Sequence, residues 1–220
     1  MSFVRINNKI KIFNKHLSIE GDKSLSIRWA LLSSQSLSES KSFNLLLSED
    51  VLNTLNSLKK LGVKVKLSKN FCQIKGVGLN GFKYQKNLVL DAGNSGTLGR
   101  LILGLLVHCK KDVKIKGDKS LSKRDFSRVT IPLTKFGARF LTKGGKLPVV
   151  VKGTNDPRPI FYNEKNGSAQ CKSSVMLAAI NTKGETIIKA KKSRNHSELL
   201  FKYLGLPIKI YQKKKYDIIK

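Results

Sequence analysis

One local pattern recurs three times along the chain, and it constrains the fold more than any other feature. A stretch with helical apolar spacing ends at a glycine, and two short strand-like runs follow. Residues 51–61 carry apolar side chains at 51, 52, 55, 58 and 61, the spacing of one helix face. Ser48 stands at the N-cap position, and Glu49 and Asp50 suit the positive end of the helix dipole. Gly62 supplies the left-handed residue on which helices commonly stop. Residues 63–67 and 71–75 then read as a hairpin. The second copy runs through 129–136, Gly137, 138–142 and 147–152; the third runs through 199–204, Gly205, 206–212 and 216–219. The three glycines lie 75 and 68 residues apart. Each copy is preceded by another helical stretch that comes after a polar turn: 22–38 after Glu20-Gly21, 97–108 after Gly93-Asn94, and 168–180 after Asn166-Gly167. The chain therefore reads as three βαβαββ units in an α/β (α+β) arrangement. Residues 98–107 form the most apolar helix and the one expected to be buried.

Length and composition narrow the function. A chain of 220 residues with 40% hydrophobic content buries a real core, which excludes a disordered tail. No apolar run approaches the roughly 20 residues that span a bilayer. At the start, Arg5, Lys9 and Lys11 interrupt the apolar residues, so no secretory leader is expected and the expected compartment is the cytoplasm. Cys72, Cys109 and Cys171 are odd in number and far apart, which fits neither a disulfide framework nor a zinc site. The net charge of +29 invites a nucleic-acid reading, and a basic non-enzymatic nucleic-acid-binding protein is the alternative from another class. Yet the 35 Lys and 8 Arg are spread along the whole chain, as on a solvated surface. A field this positive also attracts small anionic substrates.

Four polar clusters carry the chemistry. Gly21-Asp22-Lys23-Ser24-Leu25-Ser26-Ile27-Arg28 returns as Gly117-Asp118-Lys119-Ser120-Leu121-Ser122-Lys123-Arg124, identical at seven of eight positions. Read as a helix start, each copy makes an anion site from free backbone N–H groups, a lysine point charge and an arginine fork. Asp91-Ala92-Gly93-Asn94-Ser95-Gly96-Thr97 lets backbone approach a ligand and opens the apolar helix that carries Arg100. It lacks the Gly-Lys-Ser/Thr ending of a P-loop. Ser168-Ala169-Gln170-Cys171-Lys172-Ser173 opens a further helix after Gly167, and Ser193-Arg194-Asn195-His196 precedes another. His196 reads either as an acid/base group or as a polar residue of a helix start. No Ser-His-Asp order and no metal-ligand spacing occurs, which speaks against nucleophilic and metal-dependent chemistry.

Taken together and in this order over residues 20–205, the clusters resemble the motifs of the EPSP synthase (3-phosphoshikimate 1-carboxyvinyltransferase) family. The resemblance implies an enolpyruvyl transferase fold, an inside-out α/β barrel of two lobes with three βαβαββ units each. Residues 20–220 correspond to one lobe, and residues 1–19 to a segment that packs with the other. The implied reaction adds the 5-hydroxyl of shikimate 3-phosphate to C2 of phosphoenolpyruvate and then expels inorganic phosphate, with no metal or organic cofactor. By motif position, Lys23 contacts both substrates and serves acid/base chemistry. Ser24, Arg28, Ser168, Ala169, Gln170 and Arg194 hold shikimate 3-phosphate. Asn94 lies in the binding turn, Gly96 and Arg124 hold phosphoenolpyruvate, and Gln170 stands near it. Gly96 also implies sensitivity to glyphosate, because a methyl there would crowd the phosphoenolpyruvate site. The motifs of a UDP-sugar transferase or an RNA 3'-phosphate cyclase are not matched. Four positions depart from the family pattern, the change at Ser95 within the turn being mild. Asp125 stands where proline comes after the second arginine, a carboxylate expected to weaken Arg124, with Phe126 beside it in place of a common methionine. Asn195 stands where aspartate is usual. The resemblance covers one lobe of two, so a second-lobe chain is an implied partner and weak or no activity is expected of this chain alone.

Overall fold

The computed structural model describes residues 3–5, 7, 8, 12, 14–69 and 71–220. Lys9 and Lys11 lie outside the described residues. The first unit comprises α1 (Lys23–Ser33), β1 (Glu39–Phe43), α2 (Glu49–Lys60), β2 (Lys64–Leu67) and β3 (Phe71–Lys75). The second comprises β4 (Leu88–Asp91), α3 (Gly96–Leu105), β5 (Val113–Lys116), α4 (Ser127–Thr134), β6 (Arg139–Lys143) and β7 (Lys146–Lys152). The third comprises β8 (Phe161–Glu164), α5 (Ala169–Ala179), β9 (Ile187–Lys191), α6 (His196–Tyr203), β10 (Ile210–Gln212) and β11 (Tyr216–Ile219).

Each unit has its own sheet. In the second the order is β4-β5-β7-β6, and in the third β8-β9-β11-β10. Both begin with a parallel pair, β4 with β5 and β8 with β9, and continue with antiparallel pairs. The first sheet has only β1-β3-β2. The expectation of three complete βαβαββ units thus holds for two of them, and the first is corrected to αβαββ among the described residues. The reason is where the chain before α1 runs: residues 14–20 are all exposed and join no strand.

The helix ends obey local chemistry. Gly62, Gly137 and Gly205 stop α2, α4 and α6 with φ of +87°, +107° and +69°, which costs a glycine little. Instead of reaching residue 38, α1 ends at Ser33. The Ser34 hydroxyl donates to the Leu31 carbonyl, and the Ser38 N–H donates to the Ser36 hydroxyl. Serine side chains there compete with the helix for its own backbone groups. Ser48 takes the N-cap position of α2 as expected, but its hydroxyl makes no capping bond.

The helices divide by role. α2, α4 and α6 bury one face each. α3, buried throughout except at Arg100, is the central helix that the apolar pattern of residues 98–107 predicts. It packs against α5 so closely that a Cβ on Gly104 would lie 2.2 Å from the Ser174 carbonyl oxygen. α1, α3 and α5 thus form the interior, with the sheets outside them.

Candidate anion-binding site at the helix N-termini

The three interior helices occupy the same place in successive units, and each starts with a side-chain cap. Asp22 accepts from the Leu25 N–H at 2.7 Å, Ser95 from the Leu98 N–H at 3.2 Å, and Ser168 from the Cys171 N–H at 3.3 Å. The remaining N–H groups of each first turn, with the positive end of its dipole, are left for a ligand.

Arg28 ties α1 to the third unit. Its Nε donates to the Ser197 hydroxyl at 2.8 Å, and its Nη2 to the Ser173 hydroxyl at 3.2 Å. Its Nη1 donates to the Ser24 carbonyl and hydroxyl at 3.0 and 2.7 Å. Ser197 also hydrogen-bonds Ser173 at 2.6 Å. Burial pulls this guanidinium below the usual arginine range, and the Glu198 charge opposes that. Ser24 and Arg28 therefore lie together as the motif implies. Arg28 is 4% exposed, with four of its five N–H groups used inside the protein. Exposed Arg194 lies close enough for its charge to act on Arg28.

Beneath Arg28 runs a buried ion pair between Lys172 of α5 and Glu198 of α6, their side chains 1% and 3% exposed. The second Glu198 carboxylate oxygen has no hydrogen-bond partner. At the outer rim, Lys23 is half exposed and pairs with Asp50 at 2.9 Å.

The second cluster joins α3 to α5. Gln170 donates to the Thr97 hydroxyl at 3.0 Å and accepts from Arg100 Nη1 at 3.1 Å. Arg100 Nη2 donates to the Asp125 carbonyl at 3.2 Å, and its guanidinium lies over the Phe126 ring. Burial lowers the pKa of Arg100, and the charges of Arg124 and Arg128 add to the effect. Arg124 itself is exposed. A Cβ on Gly96 would fall 2.8 Å from Arg100 Nη1 and 3.2 Å from Arg124 Nη1. Gly96, Arg100, Arg124, Thr97 and Gln170 are thus one cluster. Asn94 stands beside it, donating to Asp118 at 2.6 Å. Ala169 is the first residue of α5 and is half-buried.

Two expectations are corrected. The second octapeptide opens no α-helix: residues 121–123 make a single 3-10 turn, and α4 starts only at Ser127. The first half of each copy behaves alike, since Asp118 caps the Leu121 N–H at 2.6 Å as Asp22 caps Leu25. The second halves diverge. Leu121 is fully buried where Leu25 is 42% exposed, and Phe126 is drawn into the core, which takes Arg124 out of helical geometry. Nor does the Asp125 carboxylate face Arg124. It accepts from the N–H and hydroxyl of Ser127 at the start of α4, and these bonds, the hydroxyl first, hold its pKa below the usual carboxylate range. His196 is the first residue of α6, with its Nδ1 buried and unpartnered.

Residues 7–220 match the family model EPSP synthase (3-phosphoshikimate 1-carboxyvinyltransferase). The chain belongs to the EPSP synthase family. It is 44% identical over 200 residues to the 3-phosphoshikimate 1-carboxyvinyltransferase of Ruthia magnifica, a match covering 90% of this chain and 46% of that one. The Bradyrhizobium diazoefficiens enzyme of the same name is 41% identical over 194 residues, covering 86% and 41%. A solved EPSP synthase from Acinetobacter baumannii superposes with a TM-score of 0.84 at 32% identity, covering 92% of this chain and 46% of that one. The chain spans about half the length of the family members it matches, and its mixed α/β fold is that of one lobe.

Thr97, Ser173 and Ser197 escaped the sequence reading as members of the site. Their only signal is that they are small hydroxyl residues inside or beside the recognised motifs. Each partner is distant in sequence, 73, 145 and 169 residues away for the three bonds involved.

Proposed function

We propose that this chain supplies one half of the site of a 3-phosphoshikimate 1-carboxyvinyltransferase and binds shikimate 3-phosphate and phosphoenolpyruvate between the starts of α1, α3 and α5. One observation carries the reading: Arg28 and Arg100 hydrogen-bond to neutral groups. The partners are serine hydroxyls, backbone carbonyls and the Gln170 amide oxygen. Their charges are fixed in place by hydrogen bonds that do not neutralise them, as binding of dianionic substrates requires.

The roles are assigned by position. The Ser24–Arg28–Ser173 node with Ser168 and Arg194 takes the phosphate and hydroxyls of shikimate 3-phosphate. Gly96, Arg100 and Arg124 take phosphoenolpyruvate, with Asn94 at the turn. Gln170, joined to Thr97 and Arg100, sits between the two and sets their spacing. Holding both together removes much of the entropic cost of the bimolecular step. The 5-hydroxyl oxygen bonds to C2 of phosphoenolpyruvate as its proton leaves and C3 gains a proton. The tetrahedral intermediate then loses phosphate from C2 and a proton from C3, leaving the enolpyruvyl ether. Lys23, at the rim and able to leave Asp50, serves proton transfer. The opposing half supplies the remaining acid/base groups, and residues 1–19 pack against it. Phe3, Val4, Ile12, Leu17 and Ile19, 69–92% exposed here, form the apolar part of that contact.

The test is thermal denaturation of this chain with shikimate 3-phosphate. At one hundred times Kd, one-site binding stabilises by about 2.7 kcal/mol, which moves Tm by about 5–10 °C in a chain of this size. No shift with shikimate 3-phosphate, alongside RNA binding with a steep salt slope, would replace this reading with the nucleic-acid one.

A further inference from the structure

The starts of α3 and α5 are built on one plan. β4 ends at Asp91 and β8 at Glu164, and each acid stands four residues before the serine that caps the next helix, Ser95 or Ser168. Asp91 Oδ1 accepts from the Gly93 N–H at 2.9 Å, and Glu164 Oε1 accepts from the Asn166 N–H at 3.1 Å. In both turns a carboxyl group at the strand end thus takes the N–H two residues on.

The turns differ in what else holds them. Residues 92–94 have further ties. The Ala92 N–H donates to the Lys116 carbonyl, the Ala92 carbonyl accepts from the Ser95 N–H, and the Gly93 carbonyl accepts from the Asp118 N–H. The Asn94 side chain adds its bond to Asp118. For residues 165–167, among the described residues, the bond from Asn166 to Glu164 is the only hydrogen bond made. Gly167 in this turn takes a φ of +69°, and a glycine there leaves the backbone other conformations to move to.

The two acids differ as well. Asp91 lies opposite Lys116 of β5, and its second oxygen pairs with that lysine at 2.9 Å, so both oxygens are used. Glu164 lies opposite Ala190 of β9, whose methyl offers no polar partner, and is itself 2% exposed. Its Oε2 is buried and makes no hydrogen bond among the described residues. A buried polar atom without a partner costs the fold free energy. Glu164 is therefore a poor residue for stability alone, and the one thing it does is hold the turn before α5.

We infer that Glu164 is a positioning residue of the ligand site: through the Asn166 N–H it fixes the turn that places Ser168, Ala169 and Gln170 at the start of α5. The inference rests on the proposed function, in which Ser168 takes shikimate 3-phosphate and Gln170 sets the spacing of the two substrates. Gln170 also bonds Thr97 and Arg100, so a shift of the turn disturbs the link from α5 to α3. At Asp91 the same bond is one tie among several, and its loss matters less.

The experiment compares Glu164→Leu and Glu164→Gln with the wild-type chain in three measurements. Leucine removes the acceptor and the unpartnered oxygen together, whereas glutamine keeps an acceptor oxygen on a side chain of the same shape. In urea unfolding, Glu164→Leu should be as stable as the wild type or more so. In titration calorimetry its binding of shikimate 3-phosphate should be about tenfold weaker, the loss of one hydrogen bond, while Glu164→Gln stays within about threefold of the wild type. Amide exchange followed by NMR should quicken in Glu164→Leu at Asn166 and at Cys171 and Lys172, which donate to Ser168, and stay unchanged in Glu164→Gln. Unchanged binding in Glu164→Leu overturns the inference. So does weaker binding that accompanies a loss of stability, which would make Glu164 a residue of the fold only. Equal weakening in Glu164→Gln overturns it too, because the charge and not the acceptor would then be what counts. If the wild-type chain binds no shikimate 3-phosphate, the proposed function fails, and exchange alone decides whether Glu164 holds the turn: unchanged rates in Glu164→Leu overturn that.

Discussion

Replacing Glu198 by glutamine tests whether the Lys172–Glu198 pair fixes the geometry of the site. The substitution keeps shape and removes one charge from a pair whose side chains are 1% and 3% exposed. Lys172 is then left without its buried partner, and breaking a buried pair by removing one member typically costs about 3–5 kcal/mol. That is a large share of the roughly 5–15 kcal/mol that holds a domain folded. Urea unfolding monitored by circular dichroism should show Glu198→Gln less stable by about 3–5 kcal/mol. Lys172→Met with Glu198→Leu should recover most of the loss, because apolar residues of similar volume replace a buried pair at little cost. The double-mutant cycle should give a coupling above about 2 kcal/mol. Ser173 and Ser197 flank the pair in sequence, so shikimate 3-phosphate binding should fall in Glu198→Gln even where it remains folded. A destabilisation below about 1 kcal/mol would mean the pair behaves like a surface salt bridge and does not fix α6 against α5. If Glu198→Gln does not fold, the double variant and Lys172→Met still decide the question.

The geometry leads to three further outcomes. Ser197→Ala removes the acceptor of Arg28 Nε and the partner of Ser173, and should cost about 1–3 kcal/mol in urea unfolding and weaken shikimate 3-phosphate binding; unchanged titration isotherms would contradict the assigned node. Gly96→Ala places a methyl against the ends of two arginine side chains, so stability should stay within about 1 kcal/mol, while phosphoenolpyruvate and glyphosate binding weaken in a completed two-lobe enzyme; an unchanged inhibition profile there would count against the cluster. Burial holds His108 below its ordinary pKa, against the supporting bond to the Ala178 carbonyl. The stability it contributes is present above about pH 6.5 and is lost as pH falls through the lower folded value. The urea midpoint should therefore drop between pH 7.5 and 5 and drop less in His108→Gln, a window above that of Asp91, Asp118 and Asp125, whose lowered values act only in acid. A midpoint that holds steady in the wild-type chain would refute this.

The repeat was legible because its markers are local: an amphipathic stretch, a left-handed glycine and a hairpin are each set within a few residues. Gly62, Gly137 and Gly205 all take the positive φ that their positions required. A leading strand is harder to read, because its pairing is with residues far away in the chain: β4 and β8 each come after a long connecting segment, and among the described residues before α1 none joins a strand. The same division runs through the site. Ser24 and Arg28 are four residues apart on one helix, and their contact could be read directly. Ser173 and Ser197 reach Arg28 only once α5 and α6 have packed against α1.

The two octapeptides show why a motif does not determine its own structure. Seven identical residues start the same way, with an aspartate capping the N–H three residues on. They part where the core claims different side chains. In the first copy the buried face falls on Ile27, Ala30 and Leu31, a spacing that only a continuing helix satisfies. In the second it falls on Leu121 and Phe126, five residues apart, and burying both requires the chain to turn after one 3-10 turn. Arg28 is thereby buried inside the lobe, and Arg124 is left exposed beside Gly96 and Arg100. If packing rather than the octapeptide makes that choice, exchanging Lys123 for the Ile27 of the first copy, which makes the two octapeptides identical, should leave the 3-10 turn in place. Phe126→Ser, by contrast, should loosen it, with faster amide exchange across residues 121–126 and weaker anion binding at Arg124. Faster exchange in Lys123→Ile equal to that in Phe126→Ser would return the decision to the local sequence.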